Sequence, residues 1–369
     1  MATALKWEGV RKLLCVRLDN MGDVLMTMPG IHALKKTFPG CSLTLLASRA
    51  SAALGPFLPD VDEVLAYDAP WMKHDDPDPA ADDDIVQALR QAQFDAAVIF
   101  TVYSQNPLPA ALMCRLAGIP RVLAHCRENP YSLLTEWRRE TEPEGGIRHE
   151  VQRQLDLVAH VGASCSNTGL QFQTRAQDRN SLNAKLAGSG LQNAATWMVA
   201  HCGATAPSRR YPVEHFVRVF ELLGDRAGPI VLTGDASERE ITNSILQACA
   251  PGLPLIDMTG KLSFGEFACL LEQTDLLLSN NTGPVHLAAA LGTPVVDLYA
   301  LTNPQHTPWR VPQRVLYHDV ACKWCYRSVC PEQHHQCLRG VAPERVCASV
   351  LELLAETAEG NHRQLAGVA

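Results

Sequence analysis

The sequence predicts an α/β protein built from two parallel-sheet domains, and three observations carry that prediction. Apolar strand candidates alternate with helical stretches in both halves of the chain, the pattern of repeated βαβ units. Two segments, one near each end, run from an apolar strand through a small polar loop into a helix. At 369 residues, with 47% hydrophobic and 19% charged, the chain is long enough for two globular domains.

The first of those segments is Leu13 to Pro29. Leu13 to Val16 form an apolar strand, Arg17 to Asp23 a polar turn, and Leu25, Met28, Ile31 and Leu34 recur at helical spacing. Lys35-Lys36 suit the helix end, and Pro39-Gly40 stops it. Asp19, Asn20 and Asp23 therefore lie at the carboxyl end of the first strand, where open α/β sheets place their chemistry. Asp23 sits near the helix amino end, where the dipole favours its charge; a plain N-cap carboxylate is the alternative. Strands are expected over Lys12–Val16, Leu43–Ala47, Ala96–Thr101 and Arg121–Ala124. The stretch from His74 to Asp84, acidic and proline-containing, is expected to be a solvated loop without function.

Polarity rises between Ser164 and Asn193, with a helix candidate inside, so residues 171–194 are taken as the connection between domains. The domains expected are 1–170 and 195–345, followed by a terminal helix and tail over 346–369. Strands of the second domain are expected over Trp197–Ala200, Pro229–Thr233, Leu255–Met258, Leu276–Leu278 and Val295–Leu298. His201 to Thr205 follow the first of these, and Gly203 there permits close approach of a phosphate to the backbone.

The second segment is LLLSNNTGPVHLAAALGTPVVDLY, residues 276–299. Pro284 marks a helix start and Gly292 its end. Thr282 and Gly283 stand where free N–H groups and the positive end of the helix dipole converge, an anion site in outline. His286, on an alanine-rich helix, is expected to pack in the core rather than react.

Three ordered motifs go further: VRLDNMGDVLMTMP, PSRRYPVEHF and MTGKLSFGEFACLLEQTDLLLSNNTGPVHLAAALGTP. Together with the tail CKWCYRSVCPEQHHQCL, they are similar to glycosyltransferase family 9, the heptosyltransferase-type enzymes of lipopolysaccharide core assembly. That resemblance implies a GT-B fold, two Rossmann-like domains with parallel sheets facing a central cleft. It implies an inverting transfer that needs no metal, with Asp23 matching the catalytic base and Arg209 the position of a phosphate-binding lysine. Arginine there keeps the charge and adds bidentate geometry. The terminal helix is expected to pack back on the first domain, again by resemblance.

By the same resemblance, Gly234 in Thr233-Gly234-Asp235 and Lys261 in Thr259-Gly260-Lys261 fall in loops around the donor base and ribose. Two positions depart from the family pattern. Asp19 stands where a small hydroxyl residue is often found, and either raises the pKa of Asp23 or caps the turn. Asn281 replaces a frequent Asp, which leaves the nucleotide preference less defined. The expected donor is ADP-heptose, and a UDP- or GDP-sugar is the alternative. A non-catalytic nucleotide-binding protein is the rival outside enzymes, opposed by the intact Gly22-Asp23 pair.

Arg115, Arg121, His125 and Arg127 make a locally basic stretch. With Asp19 and Asn20, Arg115 and Arg121 are candidates for the acceptor side, since carboxylates or phosphates of a lipid-linked glycan would be drawn to them; scattered surface arginines fit equally. Such an acceptor would bring the enzyme transiently to the inner face of the cytoplasmic membrane.

Several classes are excluded. A net charge of −7 argues against nucleic acid, and no apolar run of 18 residues predicts a membrane span. No GxGxxG follows the first strand, which disfavours a nicotinamide oxidoreductase. Thirteen cysteines, an odd number spread through strands and helices, read as reduced thiols in a cytoplasmic protein. Cys322, Cys325, Cys330 and Cys337, with His334 and His335 nearby, form the one concentrated cluster. A structural Zn²⁺ stands against free thiols or a redox-labile pair there. No cofactor is expected for catalysis.

Overall fold

A computed structural model describes residues 7–72 and 78–366, and the chain divides into two compact units, Met1–Gln173 and Thr174–Ala369. The first unit holds strands β1 (Lys12–Arg17), β2 (Ser42–Ala47), β3 (Glu63–Ala66), β4 (Ala96–Ile99), β5 (Val122–Cys126) and β6 (Glu136–Arg139). They form one six-stranded sheet in the order β3-β2-β1-β4-β5-β6, parallel throughout. Helices α1 (Met21–Thr37), α2 (Arg49–Ala52), α3 (Pro79–Ala92), α4 (Leu108–Leu116) and α5 (Glu150–Ala159) connect and follow the strands.

The second unit repeats the plan. Strands β7 (Met198–His201), β8 (Ile230–Thr233), β9 (Leu255–Asp257), β10 (Leu276–Asn280), β11 (Val295–Leu298) and β12 (Gln313–Leu316) lie in the order β12-β11-β10-β7-β8-β9, again parallel. Its helices are α6 (Ala176–Leu186), α7 (Val213–Leu223), α8 (Arg239–Ala248), α9 (Phe264–Gln273), α10 (Gly283–Leu291), α11 (Gln336–Arg339) and α12 (Pro343–Ala366).

Central strands are apolar on both faces because helices cover both: Leu13 to Val16 and Leu276 to Leu278 are all at most 1% exposed. Between β1 and α5, helix α1 is buried nearly all round, with Leu25, Met28, Ile31 and Leu34 in contact with the core. Among the described residues, no helix is long and apolar enough to cross a membrane.

Four expectations need correction. Strands β3, β6 and β12 were not foreseen, and each is an edge strand. Their sequences, EVLA, EWRR and QRVL, bury little, so no apolar run announces them. The acidic stretch is not a loop throughout: residues 73–77 lie outside the described residues, while Asp78 caps α3 by accepting from the Ala80 amide and Pro79 opens the helix. Asp and Pro there are start signals that outweigh the acidic composition. In the expected connection, α6 belongs to the second unit, packed on α9. The terminal helix α12 spends its apolar face, Val346, Val350, Leu353 and Leu354, in the second unit's core against α7 and the sheet, and not in the first domain as expected.

Candidate active site

Two groups of loops carry the polar chemistry, one at the carboxyl edge of each sheet. In the first unit, β1 ends at Arg17, a guanidinium with no exposure. Burying a lone charge is costly, and the chain answers with three carboxylates. Arg17 Nε lies 2.9 Å from Asp19 Oδ2, Nη2 lies 3.1 Å from Asp23 Oδ1, and Nη1 lies 2.9 Å from Glu150 Oε1. Burial alone would weaken the charge on Arg17, but these partners outweigh it and hold the group protonated.

The turn between β1 and α1 is fixed by its backbone. Asn20 O accepts from the Asp23 and Val24 amides, and Asp19 O accepts from the hydroxyls of Ser48 and Ser51. Asp23 thus stands in the first turn of α1, with Thr27 Oγ1 donating to its carbonyl. Asp19 accepts from Gln105 Nε2 and is pushed up to about 6, by burial first and by the Asp23 charge second, against the pull of Arg17. Two carboxylates and one shared cation therefore meet at the start of α1.

Beside them opens a cavity of about 290 Å³ lined by Asp19, Trp71, Thr101, Ser104, Gln105 and Asn106. A smaller one, about 80 Å³, lies against Gln105, His125, Arg127 and Glu140. His125 is held neutral, pushed down to about 3 by burial and by the neighbouring Arg153, which pairs with Glu140 at 2.5 Å. The basic stretch is split by the sheet. His125 and Arg127 stand at the carboxyl edge; Arg121 precedes β5 and donates to Glu8 O, and Arg115 is in the last turn of α4. Arg115 and Arg121 are therefore at the amino edge and are not brought together with Asp19, Asn20 and Asp23.

In the second unit, the loops after β7, β8, β9 and β10 bring Gly203, Arg209, Gly234, Lys261, Asn281, Thr282 and Gly283 to one edge. Arg209 ends a short 3₁₀ turn with Nη1 3.5 Å from Asn281 O. Thr282 is the N-cap of α10 in extended conformation, and its hydroxyl donates to Asn280 O, so the first amides of the helix are not capped by its side chain. A Cβ built on Gly283 meets nothing within 4 Å, which leaves the backbone open to an approaching group. Gly292 closes α10 in the left-handed region at φ +80°. His286 is buried and packs edge-on against His306.

Gly203 serves a different neighbour from the one expected. A side chain there would strike the Glu238 carboxylate, and a Cβ built on Gly234 would come within 3.0 Å of the same group. Glu238 closes a capping box with Asp235. The direction a side chain would take from Gly203 is occupied by that acid. Lys261 is half-exposed and pairs with Asp257 at 3.3 Å.

Sequence reasoning passed over Asp297, on β11. It is fully buried, accepts from Asn281 Nδ2 at 2.9 Å, and its Oδ1 has no hydrogen-bond partner among the described residues. Burial drives it up to about 8, only partly opposed by Asn281 and Arg209. Arg17 and Glu150 were missed too. For Arg17 and Asp297 the signal was a charged residue inside an apolar run, LLCVRL and VVDLY; Glu150, in the polar stretch RHEVQRQ, carried none.

Comparison with known proteins decides what such a pair of sites belongs to. The pattern of glycosyltransferase family 9 (heptosyltransferase) matches residues 84–336. The chain belongs to glycosyltransferase family 9. It is therefore a glycosyltransferase, and its two parallel-sheet units are those of the GT-B class. Among relatives of this family 9 enzyme is lipopolysaccharide heptosyltransferase 2 of Escherichia coli K12, 24% identical over 93% of this chain and 98% of that one. The crystal structure of a family 9 glycosyltransferase from Veillonella parvula matches at a TM-score of 0.78 and 20% identity, covering 96% of this chain and 99% of the other. The structure of E. coli ADP-heptose lps heptosyltransferase II matches at 0.74 and 22% identity, covering 94% and 99%.

Proposed function

We propose that this family 9 enzyme is an inverting heptosyltransferase of lipopolysaccharide core assembly that takes ADP-heptose as donor, with Asp23 as general base. The observation that carries the proposal is the Arg17–Asp23 ion pair at the amino end of α1, which orients a carboxylate where the family motif has its base. Near-full-length similarity to a lipopolysaccharide heptosyltransferase 2 supports the sugar and the acceptor class. Similarity to an ADP-heptose enzyme supports the nucleotide.

In the proposed reaction an acceptor hydroxyl gives its proton to Asp23 as its oxygen attacks the anomeric carbon of heptose. The bond from that carbon to the β-phosphate oxygen breaks on the opposite face, and ADP leaves with the electron pair. Arg209 and the positive end of the α10 dipole, with the Gly283 amide, neutralise the departing diphosphate. Gly283 lets the phosphate reach that backbone, and Lys261 borders the nucleoside side. The acceptor sugar enters the cavity beside Asp19, where Thr101, Ser104, Gln105 and Asn106 offer neutral hydrogen-bonding groups to hydroxyls. A lipid-linked acceptor makes the enzyme a transient visitor to the inner membrane face.

Calorimetric binding of ADP, UDP and GDP to the wild type and to Arg209→Ala tests the donor half. ADP preference that disappears in the variant supports the proposal. Preference for UDP or GDP overturns the ADP-heptose assignment, and no binding of any nucleotide overturns the donor site itself.

A further inference from the structure

Between β12 and α11 the chain runs from Tyr317 to His335 without a strand or α-helix. This stretch buries little: Trp324, Tyr326 and Val329 are exposed, the last at 65%. Its backbone is nonetheless held in demanding conformations. Trp324, Tyr326, Gln333 and His335 all have positive φ, between 50° and 63°, which non-glycine residues adopt reluctantly. A hydrophobic core does not account for that order.

What the stretch does collect is sulfur. Cys322, Cys325, Cys330 and Cys337 line one cavity of about 20 Å³, room for a single water-sized occupant. Cys337 lies within electrostatic reach of both Cys330 and Cys322, and the Leu301 amide donates to its sulfur. His334 Nε2 approaches Cys322 Sγ at 3.7 Å, while its Nδ1 accepts from the Gln336 amide at 3.0 Å. An accepting Nδ1 puts the proton on Nε2, so His334 donates towards the Cys322 sulfur. Among the described residues no three such side chains stand close enough to hold an ion as they are, so the sulfurs must turn inward to close on one.

We propose that Cys322, Cys325, Cys330 and Cys337 bind one zinc-type divalent cation as four thiolates, with His334 as a hydrogen-bond donor and not a ligand. The spacing Cys-x2-Cys brings two sulfurs to one centre, and a four-sulfur set suits tetrahedral zinc or iron. Binding releases the thiol protons to solvent and changes no oxidation state. The ion fastens this stretch, and with it the loop before α7. Ser208 N donates to Ser328 O at 3.0 Å and Ser208 Oγ to Arg327 O at 2.8 Å, so the residue next to Arg209 is tied directly to the sulfur-bearing stretch.

Elemental analysis of the full chain as purified, followed by Zn²⁺ and Co²⁺ titration of chelator-stripped protein, tests the site. About one zinc or iron per chain is expected, with Co²⁺ giving a thiolate charge-transfer band. Cys322→Ser and Cys325→Ser should lower the bound metal at least tenfold, and His334→Ala should leave it in place. Stripping should also speed tryptic cleavage after Lys323 and Arg327, both exposed, and Zn²⁺ should restore protection. Should the serine variants fail to fold, the stoichiometry and reversible stripping of the wild type still decide. Absence of stoichiometric metal together with no Co²⁺ band overturns the proposal, as does full metal content in both serine variants.

Discussion

Arg17 Nη2 and Asp23 Oδ1 are joined at 3.1 Å, with the guanidinium wholly out of solvent and the carboxylate 15% exposed. One end of this pair is anchored in the core, and the other is presented at the edge of the sheet. The same cation holds Glu150, 133 residues away in sequence, and Asp19, two residues away. A buried positive charge, itself held by Glu150 of α5, thereby fixes the orientation of an edge carboxylate.

Asp23→Asn keeps the shape of the side chain and removes its basicity. Turnover is expected to fall roughly 10²–10⁴-fold, with ADP affinity within about twofold of wild type. Single-turnover kinetics with matched nucleotide titrations check this. Unchanged turnover would remove Asp23 from the role of base.

Arg17→Ala strips three carboxylates of their common partner. Stability should drop by about 3–5 kcal/mol, the range for leaving a buried charge uncompensated. Arg17→Lys should fall between, because an ammonium lacks the planar fork that reaches three acids at once. Urea unfolding of the three proteins measures the order.

Arg209→Ala should weaken ADP binding by about 10- to 100-fold, equivalent to roughly 1.5–3 kcal/mol for a lost hydrogen bond to a charged group. Arg209→Lys should recover part of it, since the charge returns without the second donor. The loss should shrink as salt rises.

Asp297 ties stability to pH. Its carboxyl is raised to about 8 in the fold from the ordinary 3.8, so between those values the folded chain holds a proton that the unfolded chain has released. Stability from this group is complete below about pH 4, declines as pH rises by at most about 1.4 kcal/mol per unit, and levels off above 8. Asp297→Asn cannot ionise, so the difference in unfolding free energy between variant and wild type should grow from pH 5 to 8. A constant difference across that window would show that Asp297 is ionised in the fold.

Much of the plan was legible because it is local. Strands β1, β4, β7, β8, β10 and β11 lie inside their sheets with helices on both faces, so their apolar runs appear in sequence almost without interruption. Pro284 and Gly292 mark α10 just as plainly. The edge strands β3, β6 and β12 gave no such signal, while the edge strand β9 was foreseen. Trp137, Arg138 and Arg139 of β6 face solvent, and only pairing with β5 makes them a strand. The basic stretch failed for the opposite reason, since Arg121 and Arg127 are close in sequence but sit at opposite ends of one strand.

The sequence by itself determined the alternation of strands and helices, the two loop-to-helix turns, and the placing of Asp23 and Gly283 at helix starts, because each depends on residues within one or two turns of one another. Tertiary structure alone decided that Arg17 meets Glu150, that Glu238 fills the space beside Gly203, and that Asp297 is sealed against Asn281. Those are contacts across different elements, set by how the sheets are ordered. Burial then gives each charged group the strong interactions that an exposed residue of the same type would lose to water.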